Sequence, residues 1–357
     1  TMNKRAKIPV AILGATGAVG QRFAHLLIDH PWFEVTALAA SERSAGRRYQ
    51  DAVQWVVPGD PPDALRDEIV RPLCPDLPAK IVFSALPSTI AREMEPAFAQ
   101  AGYAVCSNAS AYRDHPLVPL LIPEINADHV RLIDRQRMER EWSGLIVTSP
   151  NCTTTGVAMA LKPLDDTFRL RTCFMVSMQA VSGAGYPGVP SLDIMNNVIP
   201  YIPGEEEKFQ QELSKMLGRM DHGELIPADI TLSAHANRVP VLDGHTVSLS
   251  VGFEREVTVA AALEALRDYQ APALAATLPS ALPNPLIVHL DPDRPQPRRD
   301  RDIAGGMAVN VGRVRPCPAL DLRMTTVTHN TLRGAAGGAV LNAELLVASG
   351  YVERQSP

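Results

Sequence analysis

The feature that most constrains this chain stands at its start. Residues 8–13, Ile-Pro-Val-Ala-Ile-Leu, form a continuous apolar run. Such a run predicts a strand buried on both faces. Gly14-Ala15-Thr16-Gly17-Ala18-Val19-Gly20 follows without a break, and Phe23, Leu26 and Leu27 then recur at helical spacing. Strand, glycine turn and helix are the opening of a nucleotide-binding βαβ unit. The glycine order differs from the commonest G-x-G-x-x-G, but the physics is shared. Glycines permit a tight turn and let backbone amides approach a phosphate, while the helix N-terminus favours negative charge. Placed directly after a buried strand, the motif favours dinucleotide binding over a turn of purely structural purpose.

The alternation continues. Residues 33–40, 80–86 and 103–106 read as further strands and 90–100 as a helix, which predicts a mostly parallel sheet. Residues 58–78 hold six prolines and read as irregular surface chain. Near residue 150 the pattern changes. Asn151-Cys152 opens a helical stretch to about Leu164, strands follow at 170–181, 230–238 and 245–252, and 205–217 and 257–269 read as helices. A length of 357 residues suggests two domains, each large enough for its own core. The expected fold is therefore α/β: a Rossmann-like, mostly parallel sheet domain over 1–150 and an α+β domain over 151–329. An Ala-rich helix within 330–350 returns to the first domain. The segment 272–297 has seven prolines and reads as a long loop around a short strand at 286–290, and Arg298-Arg299-Asp300-Arg301-Asp302 as a solvated face.

Composition excludes several classes. With 34 Lys+Arg against 39 Asp+Glu the chain is mildly acidic, which gives no electrostatic reason to expect nucleic acid or an anionic membrane. Aromatics at 5% disfavour base-stacking platforms. No apolar run approaches the roughly 20 residues that a membrane span needs. The basic start, Thr1 to Arg5, imitates a leader only weakly. The five cysteines, Cys74, Cys106, Cys152, Cys173 and Cys317, are odd in number and include no C-x-x-C. A disulfide framework or a metal site is not expected, and the expected compartment is the reducing cytoplasm.

The second strand ends Ala39-Ala40-Ser41-Glu42-Arg43-Ser44, with Arg47 and Arg48 close behind. Guanidinium and hydroxyl donors suit a ribose 2′-phosphate, so NADP is preferred; Glu42 in the same turn is the residue that would instead serve NAD.

Thr148-Ser149-Pro150-Asn151-Cys152-Thr153-Thr154-Thr155-Gly156 is the most informative stretch. Pro150 keeps the residue before it extended, and Asn151 is a good N-cap. Cys152 then falls in the first helical turn, where the dipole lowers a thiol pKa and makes a nucleophile. The other four cysteines read as small hydrophobes. A thiol nucleophile needs a proton-transfer partner. His235 and His245 share one segment, and by composition alone neither is chosen.

Taken together, the motifs resemble one family. They are the glycine turn, residues 41–46 (SERSAG), residues 107–113 (SNASAYR), Pro150-Asn151-Cys152, residues 182–188 (SGAGYPG), residues 204–208 (GEEEK), Arg238 with His245, and residues 330–337 (NTLRGAAG). In this order they resemble aspartate-semialdehyde dehydrogenases of the archaeal/fungal-type branch, over nearly the whole chain.

The resemblance implies roles. Cys152 is the acyl-accepting nucleophile, and His245, seven residues after Arg238, is the acid/base, which leaves His235 structural. Asn151 orients the substrate carbonyl and Arg238 grips the α-carboxylate. Glu205 and Lys208 bind the ammonium and the phosphate, although the triple Glu205-Glu206-Glu207 leaves the choice of glutamate open. Arg113 binds phosphate. The cofactor side comprises Gly14, Thr16, Gly17, Ala18 and Val19 in the turn; Ser41, Arg43 and Ser44; the loop Ser84-Ala85-Leu86-Pro87; Gly183; and Asn330 at the nicotinamide amide.

The implied reaction is the NADPH-dependent reduction of L-4-aspartyl phosphate to the semialdehyde and phosphate, in a cytoplasmic homodimer or homotetramer joined through the second domain. The sequence departs from the family where Thr-Ser-Pro-Asn-Cys-Thr-Thr-Thr replaces a pattern nearer Asn-Pro-Asn-Cys-Ser-Thr, and 272–297 matches nothing in it. Three competing readings are a malonyl-CoA reductase with a thioester donor, a cysteine hydrolase without nicotinamide, and a catalytically idle NADP-binding module.

Overall fold

The computed structural model describes residues 6–354. The leader-like start, Thr1 to Arg5, lies outside the described residues. Strands β1 (Ile8–Leu13), β2 (Phe33–Ala39), β3 (Ile81–Ser84), β4 (Ala104–Ser107) and β5 (Leu145–Thr148) form one sheet in the order β2-β1-β3-β4-β5. Every pair in it is parallel. The chain leaves β1 towards β2 on one side and continues through β3 on the other. The strand order therefore reverses between β1 and β3, and a crevice opens there at the carboxyl ends.

Both faces of this sheet are covered, which is why its strands read as unbroken apolar runs. The helix Ala18–Leu27 packs Phe23, Ala24 and Leu27 on one face, and the helix Ser88–Gln100 packs Ala91 and Phe98 on the other. The terminal helix Gly337–Ala348 returns to the first face, burying Val340, Leu341, Leu345 and Leu346 in the same core.

The helix Cys152–Phe168 leads into a second sheet. It contains β6 (Leu170–Gln179), β9 (Thr231–Arg238), β10 (His245–Phe253), β11 (Leu286–His289), β12 (Val309–Pro316) and β13 (Leu322–Thr328), in the order β11-β12-β13-β10-β6-β9. A separate hairpin joins β7 (Arg219–Asp221) to β8 (Glu224–Ile226). The sheet is mixed: β6 and β9 run parallel, while β10 is antiparallel to both β6 and β13. The helices Cys152–Phe168, Glu205–Met216 and Val259–Arg267 cover one face through a core that includes Val157, Leu161, Phe209, Leu213, Ala262 and Leu266. The opposite face is open, with Phe174 47% and Val176 40% exposed on β6.

Some local readings change. The Cys152 helix runs through Pro163 to Phe168 instead of stopping near Leu164, because the buried Leu164 and Phe168 hold its last turn in the core. Residues 298–302 are not a uniformly solvated face. Arg298 and Arg299 are exposed, but the short helix Pro297–Asp300 turns Asp300 fully inward, where it pairs with Arg294 and accepts the Gln296 N–H at 2.6 Å. The proline-rich segment bridges the two cores: Leu278 enters the first and Leu286 the second. Among the described residues, no helix is long and apolar enough to cross a membrane.

Candidate active site

The loops after β1 and β3 face the second sheet across a cleft of about 590 Å³. Gly14 turns at φ +76°, and a Cβ there would lie 2.7 Å from the Ala85 carbonyl oxygen, so the two loops touch only because position 14 lacks a side chain. Gly17 is the N-cap of the Ala18 helix and gives it no side-chain cap, which leaves the first amides free for an anion. Ala18 and Val19 line one wall and Ala85, Leu86 and Pro87 another. A dinucleotide fits this chemistry: a bare helix mouth, a close-approach glycine, and Ser41, Arg43 and Ser44 in the turn after β2. Ser84 is the exception among the expected loop residues, since it is wholly buried below the wall, on the Glu95 side.

Cys152 stands on the cleft floor in the first turn of its helix. Asn151 caps that helix, its Oδ1 accepting the N–H groups of Thr153 (2.8 Å) and Thr154 (3.4 Å). The cap fixes the amide's orientation, so Nδ2 faces the cleft and donates to both carboxylate oxygens of Glu205, at 3.0 and 2.9 Å. Of the three successive glutamates only Glu205 lines the cleft. Glu206 accepts the Ala236 N–H at 2.8 Å and Glu207 is exposed. Lys208 Nζ lies 3.8 Å from Glu205. Lys208 and Arg113 also line a second cavity, of about 270 Å³, that opens beyond them.

His245 begins β10 and is 1% exposed; its Nε2 is 3.1 Å from Cys152 Sγ. Its Nδ1 accepts the Ala180 N–H at 3.0 Å, which fixes the proton of the neutral ring on Nε2, towards the sulfur. His235 sits elsewhere, exposed on β9. Arg238 ends β9 and donates from Nη1 to the Ala180 carbonyl at 2.8 Å. Gly183 lets these groups crowd together, since a Cβ there would lie 2.7 Å from Arg238 Nη1 and 3.0 Å from His245 Cε1. Asn330 lines the cleft, accepting the Gly244 N–H at 2.9 Å and donating to Ser182 Oγ at 2.8 Å.

One expectation is corrected. The helix mouth by itself lowers a thiol pKa. Burial instead pushes the thiol up to about 12, with the Glu205 carboxylate as the second cause; Arg113 and Arg238 oppose it only in part. Burial, with Arg238 and His329 nearby, takes His245 down to about 3. The pair therefore rests as neutral thiol and neutral imidazole. Cys106 and Cys173 are fully buried and their thiols are pushed up by burial alone, in keeping with packing roles.

Sequence reasoning passed over several residues of the site. Gln179 lines the cleft and donates to Glu205 at 3.3 Å. Glu212 is 4% exposed and joins Arg113 to the Asn151 backbone. The available signal was charge on the face of a helix whose neighbours Phe209, Leu213 and Met216 must be buried.

Two family models match the chain: a semialdehyde dehydrogenase NAD-binding domain over residues 9–133 and a semialdehyde dehydrogenase dimerisation domain over 161–333. An aspartate-semialdehyde dehydrogenase of Archaeoglobus fulgidus is 51% identical over 95% of this chain and 97% of its own. A malonyl CoA reductase (NADP) of Metallosphaera sedula is 38% identical over 98% and 100%. The crystal structure of an aspartate semialdehyde dehydrogenase with NADP from Candida albicans superposes with a TM-score of 0.89 at 38% identity, covering 97% of this chain and all of that one.

Proposed function

This chain belongs to the semialdehyde dehydrogenase family, and from that premise we infer that it carries out the aspartate-semialdehyde dehydrogenase reaction: NADPH-dependent reduction of L-4-aspartyl phosphate to L-aspartate 4-semialdehyde and phosphate, in aspartate-family amino-acid biosynthesis. The observation that carries the reading is Cys152 Sγ, at a helix mouth and 3.1 Å from His245 Nε2, on the floor of a cleft walled by a dinucleotide turn.

The residues act as follows. Arg238 offers a guanidinium to the substrate α-carboxylate, and Glu205 a carboxylate to its ammonium. Arg113 and Lys208 draw the phosphate to the far end of the cleft. Cys152 attacks the acyl carbon, and the Asn151 Nδ2 and the first amides of its helix stabilise the oxygen that becomes anionic. The C–O bond to phosphate breaks, the phosphate leaves carrying the proton that the thiol gives up, and the acyl group stays on Sγ as a thioester. The 14–19 turn, Ser41, Arg43, Ser44, Ala85–Pro87, Gly183 and Asn330 would hold NADPH, which would supply the hydride. His245 presents its Nε2–H as a hydrogen bond, first to the sulfur and then to the reduced carbonyl oxygen; the C–S bond then breaks, the aldehyde leaves, and the Cys152 thiolate takes up a proton from solvent. Of the expected acid–base role, this tautomer favours the donating half.

The malonyl thioester reading shares this chemistry and has a 38% identical relative behind it. Against it stands Glu205, a carboxylate lining the cleft for which a malonyl group has no cation. A homo-oligomer joined through the second sheet is supported by the dimerisation-domain match and by the open face bearing Phe174 and Val176. The cytoplasm remains the compartment that free, widely spaced cysteines suit.

The test is reduction of NADP, compared with NAD, in the presence of aspartate semialdehyde and phosphate, run beside the reverse assay with malonyl-CoA. Semialdehyde turnover with NADP, reduced to a few per cent or less in Cys152→Ser while NADP binding persists, is expected. Turnover of malonyl-CoA alone would transfer the assignment to the rival.

A further inference from the structure

The helix Glu205–Met216 carries four charged residues on one face, Glu205, Lys208, Glu212 and Lys215, at i, i+3, i+7 and i+10. The first two line the cleft. The last two turn away from solvent, at 4% and 8% exposure. Glu212 Oε2 accepts the backbone N–H of Asn151 at 2.6 Å, and Oε1 accepts from Arg113 Nη1 at 3.1 Å. Lys215 Nζ donates to three main-chain carbonyls of the loop that carries Arg113: those of Arg113 and His115 at 2.7 Å and of Val118 at 2.8 Å. Arg113 Nη2 donates to the Asn108 carbonyl at 2.8 Å, which holds the guanidinium from its other side.

We propose that Glu212 is a positioning residue that sets the distance between the nucleophile and the phosphate site. Its carboxylate touches both the cap residue beside Cys152 and the guanidinium of Arg113, while Lys215 anchors the loop behind. Arg113 reaches this place from the first sheet and Glu212 from a helix on the second, so the contact also fixes one domain against the other at the point where the acyl phosphate must lie. The inference rests on the assignment of Arg113 to phosphate.

A carboxylate is required because both neighbours are donors. A glutamine of the same shape has one accepting oxygen, so its amide nitrogen must face either the Asn151 N–H or the guanidinium. The backbone N–H cannot move without disturbing the cap, so the mismatch falls on Arg113.

Steady-state kinetics in the phosphorylating direction test this. Glu212→Gln is expected to raise the KM for phosphate about tenfold or more, the loss of one charge-assisted hydrogen bond, and to change the KM for the semialdehyde by less than about twofold. Arg113→Ala should raise the phosphate KM at least as far, and the double variant should be no worse than Arg113→Ala, because Glu212 acts through Arg113. If Arg113→Ala leaves the phosphate KM unchanged, the assignment of Arg113 fails and the proposal with it. If Arg113→Ala raises it and Glu212→Gln does not, or if the two effects add, the Glu212 inference alone is overturned. Equal movement of the phosphate, semialdehyde and NADP constants would mark a general structural role and also overturn it. Should Glu212→Gln not fold, Lys215→Gln takes its place. That variant frees the same loop and must raise the phosphate KM selectively; an unchanged value rejects the proposal.

Discussion

Asn151→Asp separates two duties that one side chain performs. Asn151 caps the Cys152 helix through Oδ1 and faces Glu205 through Nδ2. Aspartate is as good a cap as asparagine, and its charge gains about 0.3–1 kcal/mol from the helix dipole. It also places an oxygen where Nδ2 lay, about 3 Å from both Glu205 oxygens. Two unit charges at that distance repel by roughly 5–6 kcal/mol at an effective dielectric constant of 20, far more than the cap returns. The pair avoids this by keeping one proton, with a pKa raised above the usual carboxylate range.

The sign follows from proton counting. Above about pH 4 the unfolded chain has released that proton and the folded protein has not, so stability falls as pH rises from there to the raised pKa. A rise of about three units corresponds to about 4 kcal/mol in all, of which about 2.5 kcal/mol is lost between pH 5 and pH 8. Turnover should fall roughly 10²–10³-fold at neutral pH, because a donor to the developing oxyanion has become an acceptor. Calorimetric melts of variant and parent from pH 5 to 8.5, with NADP reduction measured in parallel, read both effects. Glu205→Gln in the same chain should abolish the extra pH slope. A variant with the parent's slope and turnover within about threefold would show that Asn151 and Glu205 do not face each other as described.

Three further outcomes are expected. Arg238→Lys should raise the semialdehyde KM with little change in the phosphate KM, since a lysine makes no two-point contact with a carboxylate; an unchanged KM removes Arg238 from that role. Because burial and Glu205 hold Cys152 near 12, alkylation of the free enzyme by iodoacetamide should climb about tenfold per pH unit up to pH 9 without a plateau, and Glu205→Gln should speed it; a plateau below pH 8 would contradict the neutral resting thiol. Glu124→Gln should cost about 3–5 kcal/mol, a fall in Tm of the order of 10 °C, because it strips one partner from the buried Glu124–Arg333 pair; a Tm within about 2 °C of the parent would show that the pair is not holding the start of the terminal helix.

The first domain was legible because its signals are local. A buried parallel strand is an unbroken apolar run, the glycine turn adjoins it, and Asn151 announces the cap that places Cys152. What escaped was set by distant parts of the chain. β12 and β13 received no reading, since each shows only a short alternation and Pro316-Cys317-Pro318 separates them. β5 is four residues long and fully buried, too short to show a period. Asp300 sits in a run of charges that looks solvated, and only Arg294 and the Gln296 N–H reveal why it faces inward. The Cys152 pKa failed for the same reason: the dipole is written in the local sequence, whereas burial and a carboxylate 53 residues away are not.

That failure exposes the electrostatic logic of the cleft. Four helices present their N-termini to it, through Ala18, Ser88, Cys152 and Glu205. Each mouth carries about half a positive charge, and Arg113, Lys208 and Arg238 add three more, so the space suits an anionic load of pyrophosphate, acyl phosphate and carboxylate. Glu205 occupies the same field and is drawn to it through the Asn151 amide. It is therefore the group best placed to hold the thiol protonated while the cleft is empty. On the assignment of Glu205 to the substrate ammonium, binding neutralises that carboxylate. The second cause of the raised pKa then disappears while the helix mouth and the two arginines remain. On that assignment the arriving substrate lowers the Cys152 pKa without removing the larger cause, burial, and a carbonyl compound without an ammonium brings no such shift.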